Sequence, residues 1–221
     1  MGAELPKQYL RILGRTVIEH TIGRFLNHPR IGGVVVALAV GDPYWEELPV
    51  SRNDRVYRVD GGAERCHSVR NALAFLAGGM AAAGDWVLVH DAARPCLRHA
   101  DIERMLARIG SDEAGGILAV PVRDTMKRAG ERGQIVETVD RRRLWHALTP
   151  QMFRLGALAA AIDGALDAGV AVTDEAQAME MTGCAPLLVE GHADNLKITQ
   201  AQDLKLAELF LRQQQEEIRC G

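Results

Sequence analysis

Several features that would fix a function class at once are missing from this chain. No apolar stretch is long enough to cross a bilayer: the longest, residues 31–40, is about half of what a spanning helix needs. The N-terminus also lacks the basic-then-apolar order of a secretory signal. Charge of one sign is missing too, with 26 Lys and Arg against 29 Asp and Glu for a net −3, and no basic run marks a nucleic-acid face. The four cysteines, Cys66, Cys96, Cys184 and Cys220, are scattered without metal-ligand spacing. They suggest no zinc site and fit reduced thiols better than a disulfide frame. There is no Gly-x-Ser-x-Gly elbow and no phosphate loop ending in Lys-Ser or Lys-Thr, so covalent catalysis is unsupported. Internal repeats, low-complexity linkers and an opening hydrophobic strand ahead of Pro6 are likewise lacking. These absences leave a soluble, cytoplasmic protein that acts on a small molecule, with no nucleic-acid or membrane partner.

What is there alternates. The 221 residues suffice for one α/β domain with a substantial core. Thr16 is placed to cap a helix over residues 16–26 whose apolar stripe runs Val17, Ile18, Ile22, Phe25 and Leu26. Residues 31–40 read as a strand buried on both faces, and residues 55–59 as a shorter one ended by Asp60-Gly61-Gly62. A helix over 64–77 turns Val69, Leu73 and Leu76 inward. Trp86-Val87-Leu88-Val89 is a strand that runs into His90-Asp91-Ala92-Ala93-Arg94-Pro95, where the proline forbids continuation. Asp101 is placed to cap a helix carrying Ile102, Met105, Leu106 and Ile109, and residues 116–122 form the next strand. This alternation predicts a parallel, doubly wound sheet. Residues 124–139 then read as a polar hairpin, which is marginal alone in water. Residues 144–151 are extended around Pro150, and a helix over 155–166 follows. Thr173 is placed to cap another helix, a short strand spans 186–190, and Thr199-Gln200-Ala201-Gln202 has capping-box form.

In a parallel α/β sheet ligands bind beyond the carboxyl ends of the strands, so the strand ending at Val89 would deliver Asp91 and Arg94 to a site. Lys7, Arg94 and Lys197 sit beside turns rather than on helix faces, as charges that receive phosphates do. Gly61-Gly62 permits close backbone approach to a ligand, and Ser68 can bond a ligand or cap its own helix. Asp91 can hold a sugar hydroxyl or cap its loop. The acidic pair Asp174 and Glu175 has a sufficient explanation in the helix dipole, and His90 and His146 read as network histidines.

Several strings, taken in order, resemble the 2-C-methyl-D-erythritol 4-phosphate cytidylyltransferases of the non-mevalonate isoprenoid pathway. They are Pro6-Lys7-Gln8-Tyr9-Leu10, Asp60-Gly61-Gly62 with Glu64-Arg65 and Ser68, His90 through Pro95, and Pro121-Val122-Arg123-Asp124-Thr125-Met126-Lys127. Thr138-Val139-Asp140-Arg141, Leu144 through Gln151, Thr173-Asp174-Glu175-Ala176 and Asp194-Asn195-Leu196-Lys197-Ile198-Thr199 complete the set. The resemblance implies a Rossmann-like α/β fold: a mostly parallel sheet with helices on both faces and a protruding β-arm, residues 124–151, that clasps a homodimer. It implies a single nucleotidyltransferase domain over residues 1–221. The reaction it implies is magnesium-dependent: CTP and methylerythritol phosphate give the cytidine diphosphate conjugate and pyrophosphate. By the same resemblance Lys7 and Lys197 are catalytic, and Gly62, Ser68, Asp91 and Ala92 hold the nucleotide. Arg94, Thr138, Arg154 and Lys197 hold the acceptor, Thr138 reaching the partner's site from the arm. No protein metal ligand is implied, magnesium being carried mainly by the CTP phosphates.

The sequence departs from that family at its start. The family opens with a strand and an Ala-Ala-Gly-x-Gly-x-Arg-Met loop around the triphosphate, and this chain begins at that Met. The expectation is a chain truncated relative to the family. Loss of one preorganised donor to developing charge would slow the reaction on the order of a hundredfold to a thousandfold, and loss of the strand would expose its neighbours' edges. Two other readings stand beside the first: a cytidylyltransferase for another polyol phosphate such as ribitol 5-phosphate, and a non-catalytic dimeric nucleotide-binding protein.

Overall fold

Leu13 and Gly14 both take positive φ, 49° and 82°, which closes a tight hairpin between β1 (Arg11–Ile12) and β2 (Arg15–Thr16). The structure, a computed structural model, describes residues 5–220, so the expected junction at Met1 lies outside the described residues. Thr16 ends the hairpin and caps α1 (Val17–Leu26), with Glu19 completing the capping box. The predicted stripe is buried at Val17, Ile18, Ile22 and Phe25. Next come β3 (Val34–Leu38), β4 (Val56–Asp60) and α2 (Arg65–Phe75), then β5 (Trp86–Val89) and α3 (His99–Ile109). Arg98, not Asp101, stands at the N-cap of α3. Asp101 lies inside the first turn, fully buried, where it takes bonds from Arg104 and His192.

Beyond α3 the chain forms β6 (Gly116–Pro121), β7 (Met126–Ala129), β8 (Ile135–Val139) and β9 (Trp145–Arg154), then α4 (Leu155–Asp167), α5 (Glu175–Met181), β10 (Leu187–Glu190) and α6 (Ala201–Cys220). Two further caps differ from expectation. Asp174 rather than Thr173 accepts the Gln177 N–H at the start of α5. At α6 the partner of Thr199 is Asp203, whose carboxylate takes the N–H groups of Thr199 and Gln200.

The predicted mostly parallel sheet is not what forms. The largest sheet has the order β10-β6-β9-β5, parallel only between β10 and β6 and antiparallel on both sides of β9. β9 returns directly from the β7–β8 hairpin, without the helical crossover that a parallel neighbour needs. Its register against β6 jumps from Ile117↔Gln151 to Ala119↔Ala147. The extra residues around Thr149 and Pro150 therefore bulge out toward the end of β5. Helices do cover both faces of this sheet. Ile117 and Phe153 pack with α4 and α5 on one side, while their neighbours Leu118 and Met152 pack with α3 on the other.

β3 and β4 form a separate parallel pair. Among the described residues no ladder joins β3 to β5. A groove of about 820 Å³ separates them, walled by the two strands and floored by α1 and α2. The predicted hairpin forms between β7 and β8, its strand residues exposed except Val139.

Candidate active site

β5 delivers His90 and Asp91 to its carboxyl end, and the β9 bulge meets them there. The Asp91 N–H donates to Thr149 Oγ1 at 3.1 Å, and Thr149 Oγ1 lies 2.9 Å from His90 Nδ1. The Arg94 carbonyl, 3.0 Å from His90 Nε2, can only accept, so the imidazole carries its proton there. Nδ1 of the neutral ring then accepts, and the Thr149 hydroxyl donates to it. Burial pushes the His90 pKa down to about 4, against the opposing pull of its bond to the Arg94 carbonyl and the Asp91 charge, so the ring is neutral at pH 7. The turn carrying Asp91 and Arg94 is thus pinned by a directional chain of hydrogen bonds.

Three cations converge on the Asp91 carboxylate. Arg65 Nε reaches Oδ1 at 3.3 Å, while Arg94 Nε and Lys197 Nζ reach Oδ2 at 3.3 and 3.0 Å. Burial works to raise the Asp91 pKa, but the Lys197 bond and the three positive charges outweigh it and hold the acid near 2. Arg65 is also gripped from behind by Glu175, in a bidentate pair of 2.6 and 2.9 Å. Gln151 places Glu175 by accepting from the Ala176 N–H and donating to Asp174. With Arg65, Arg94 and Lys197 set against Asp91 and Glu175, the cluster keeps one surplus positive charge, which suits an anionic ligand. The fully buried Asn195 ties the cluster together: its side-chain amide donates to the Thr149 carbonyl and its backbone carbonyl accepts from Arg94.

The glycine loop lies on the first turn of α2. The Gly62 N–H donates to Ser68 Oγ at 3.0 Å, and a Cβ at Gly62 would sit 2.2 Å from His67 Cβ, so only glycine fits. That turn also carries Arg65, which connects the loop to Asp91. Arg65, Ser68, Asp91 and Ala92 all face the mouth of the groove between β3 and β5.

Of the residues expected from sequence, the structure brings together Asp91, Arg94 and Lys197, with Ala92 alongside, its carbonyl accepting from Thr21, and Gly62 and Ser68 across the groove. Three others lie elsewhere. Lys7, half-buried in the single turn Lys7–Tyr9, makes no contact with the cluster among the described residues. Thr138 is on the exposed hairpin and accepts from Lys127 at 2.6 Å. Arg154 stacks 3.8 Å from the Trp86 ring and donates to the Gly84 carbonyl, at the far end of β5 and about 16 Å of strand from Asp91. Sequence reasoning missed Thr149, Asn195 and the bond between Arg65 and Glu175. Helix-dipole logic had accounted for Glu175 without a partner, and residue 175 is 110 positions from Arg65.

The profile of the 2-C-methyl-D-erythritol 4-phosphate cytidylyltransferases matches residues 1–213. The chain belongs to this cytidylyltransferase family. It is 55% identical over 205 residues to a Pseudomonas fluorescens enzyme of that name, covering 93% of this chain and 87% of the relative. A Vibrio vulnificus enzyme of that name is 53% identical over 216 residues, 98% of this chain and 91% of the relative. Among solved structures, a 4-diphosphocytidyl-2C-methyl-D-erythritol synthase superposes with a TM-score of 0.85 at 44% identity, over 93% of this chain and 95% of that one. The Francisella tularensis cytidylyltransferase gives 0.80 at 36% identity, over 94% of each. Membership in this family makes the chain a nucleotidyltransferase, and it carries the α/β fold of these relatives. No described helix is long and apolar enough to cross a membrane.

Proposed function

We propose that the protein transfers CMP from CTP to 2-C-methyl-D-erythritol 4-phosphate, releasing pyrophosphate. The observation that carries this reading is the cationic cluster around Asp91, in a chain that matches the cytidylyltransferase profile over residues 1–213. An oxygen of the acceptor phosphate attacks the α-phosphorus of CTP in line as the bond to the β-phosphate oxygen breaks. The protein supplies position and fixed charge rather than a nucleophile. Gly62, Ser68, Asp91 and Ala92 hold cytidine at the groove mouth, and Arg94 and Lys197 face the acceptor phosphate. Asp91 holds both of these cations, so that two positive charges stand ready without repelling each other apart.

Lys7 is assigned to the α-phosphate. Thr138 and Arg154 are assigned to the acceptor: Thr138, on the arm of a homodimer, enters the partner's site, and Arg154, remote from its own chain's cluster, serves only if it does the same. Magnesium fits this donor set through its substrate. Glu175 is closed off by Arg65 and Asp91 is shared among three cations, so the oxygens left for a hard cation that keeps its waters are those of the triphosphate. When bound, it neutralises the charge that builds on the departing pyrophosphate.

The groove fits the same reading. A strand seated there would satisfy the open edges of β3 and β5, and a loop leaving it would pass the Asp91 cluster, as the family's opening strand and glycine loop would. The test is pyrophosphate release from CTP and magnesium with methylerythritol phosphate or ribitol 5-phosphate as acceptor. Turnover with the former is the expected outcome. Equal or faster turnover with ribitol 5-phosphate would move the substrate, and CTP binding without turnover would favour the non-catalytic reading.

A further inference from the structure

We propose that the first turn of α2 holds a borderline divalent cation, of the zinc, cobalt or cadmium class, through Glu64, Cys66 and His67. Cys66 Sγ lies 3.9 Å from Glu64 Oε2 and 3.9 Å from His67 Nδ1, and the three donor atoms all fall within 4.8 Å of one another. Even at the widest triangle those limits allow, a cation at its centre is about 2.5 Å from each donor, against zinc bonds of ~2.0–2.3 Å. Rotation of the exposed Glu64 side chain supplies the remaining closure. Glu64 is at the N-cap of α2, but its side chain makes no capping bond. Among the described residues its carboxylate accepts only from the Cys66 thiol, whose proton a bound cation would displace. Arg65, the residue between, is drawn away by Glu175 and Asp91.

A thiolate, an imidazole and a carboxylate together suit a borderline cation and not magnesium, which takes hard oxygen donors. Cys66 is 3% exposed, so its sulfur is fixed, whereas exposed Glu64 leaves water access to a fourth position. Ligand spacing does not reveal this site, because the three ligands fall within four consecutive residues rather than in spaced pairs. The site is separate from the Asp91 cluster and does not depend on the proposed reaction. It lies directly beneath the nucleotide loop, since His67 underlies Gly62 and Ser68 bonds both Gly62 N–H and the Glu64 carbonyl.

The experiment is titration of the reduced, metal-stripped protein with Co²⁺ alone, in the presence of excess magnesium. A thiolate-to-cobalt charge-transfer band should appear, saturate at a single equivalent, and be abolished by Zn²⁺. Cys66→Ser should lose the band and Cys184→Ser should keep it. Glu64→Gln and His67→Gln should each weaken binding at least tenfold, the lower end of what loss of an outer-shell partner alone costs. Absence of the band at millimolar Co²⁺, or its persistence in Cys66→Ser, would overturn the proposal. Should Cys66→Ser fail to fold by circular dichroism, the other two variants decide, and unchanged affinity in both would overturn it equally.

Discussion

The two edges of β5 differ in kind. One is laddered to β9 through four residue pairs, from Trp86↔Arg154 to Val89↔Gln151. The other faces the groove, across from β3, with no ladder among the described residues. The residues delivered at the end of the strand divide in the same way. On the β9 side, Asp91, His90, Thr149, Arg94 and Asn195 are joined by a chain of hydrogen bonds. On the groove side, Ser68 and Ala92 line open space. The positions of Asp91 and Arg94 are thus built into the sheet, whereas the other edge of β5 meets only the groove. The largest effect should therefore come from the closed side, where each group depends on its neighbours for position.

The closed side can be probed through His90, whose folded pKa of about 4 lies below its ordinary 6.5. The folded ring is neutral, while the unfolded one takes up a proton below pH 6.5. The stabilisation is therefore complete above pH 6.5 and is lost as pH falls toward 4, a change of about 3 kcal/mol in all. Urea unfolding at a series of pH values should show this slope, and His90→Gln should flatten it. A slope unchanged in the variant would mean that the network does not keep the ring neutral.

Removal of Arg65 should come next in size. Glu175 is only 2% exposed, so Arg65→Ala leaves a buried carboxylate without its partner, a change that costs about 3–5 kcal/mol for a fully buried pair. The Arg65 side chain is itself 34% exposed, and solvent screening reduces the expected loss to about 2 kcal/mol. The urea midpoint should fall with m unchanged, and the KM for CTP should rise because the glycine loop and Asp91 lose their shared contact.

How legible all this was follows from the range of each interaction. Helix α1, β5 and the hairpin could be read because their signals are local: Thr16 with Glu19, four apolar residues halted by Pro95, a polar ribbon around Gly130 and Gly133. Asp91, Arg94 and Lys197 were found because strand ends and turns advertise themselves. Thr149 escaped because its role depends on a bulge in register that only pairing with β6 creates, and Glu175 because its partner lies across the fold. The direction of β9 was likewise invisible, since an extended segment does not say which neighbour it will face.

The smallest expected effect separates the sheet from the arm. Ile135 and Val136 are 67% and 60% exposed, and the contacts between β7 and β8 are surface pairs such as Arg128 with Glu137 and Lys127 with Thr138. Because the hairpin stands clear of both edges of β5, Val136→Lys should change the unfolding free energy by no more than about 0.5 kcal/mol. If the arm clasps a second subunit, the same substitution places a charge in an apolar contact. Sedimentation velocity should then show a shift from dimer toward monomer at equal concentration, with KM for the acceptor rising as Thr138 is withdrawn from the partner's site. A variant that sediments like the parent and binds acceptor as well would place the dimer contact, and Thr138, outside the reaction.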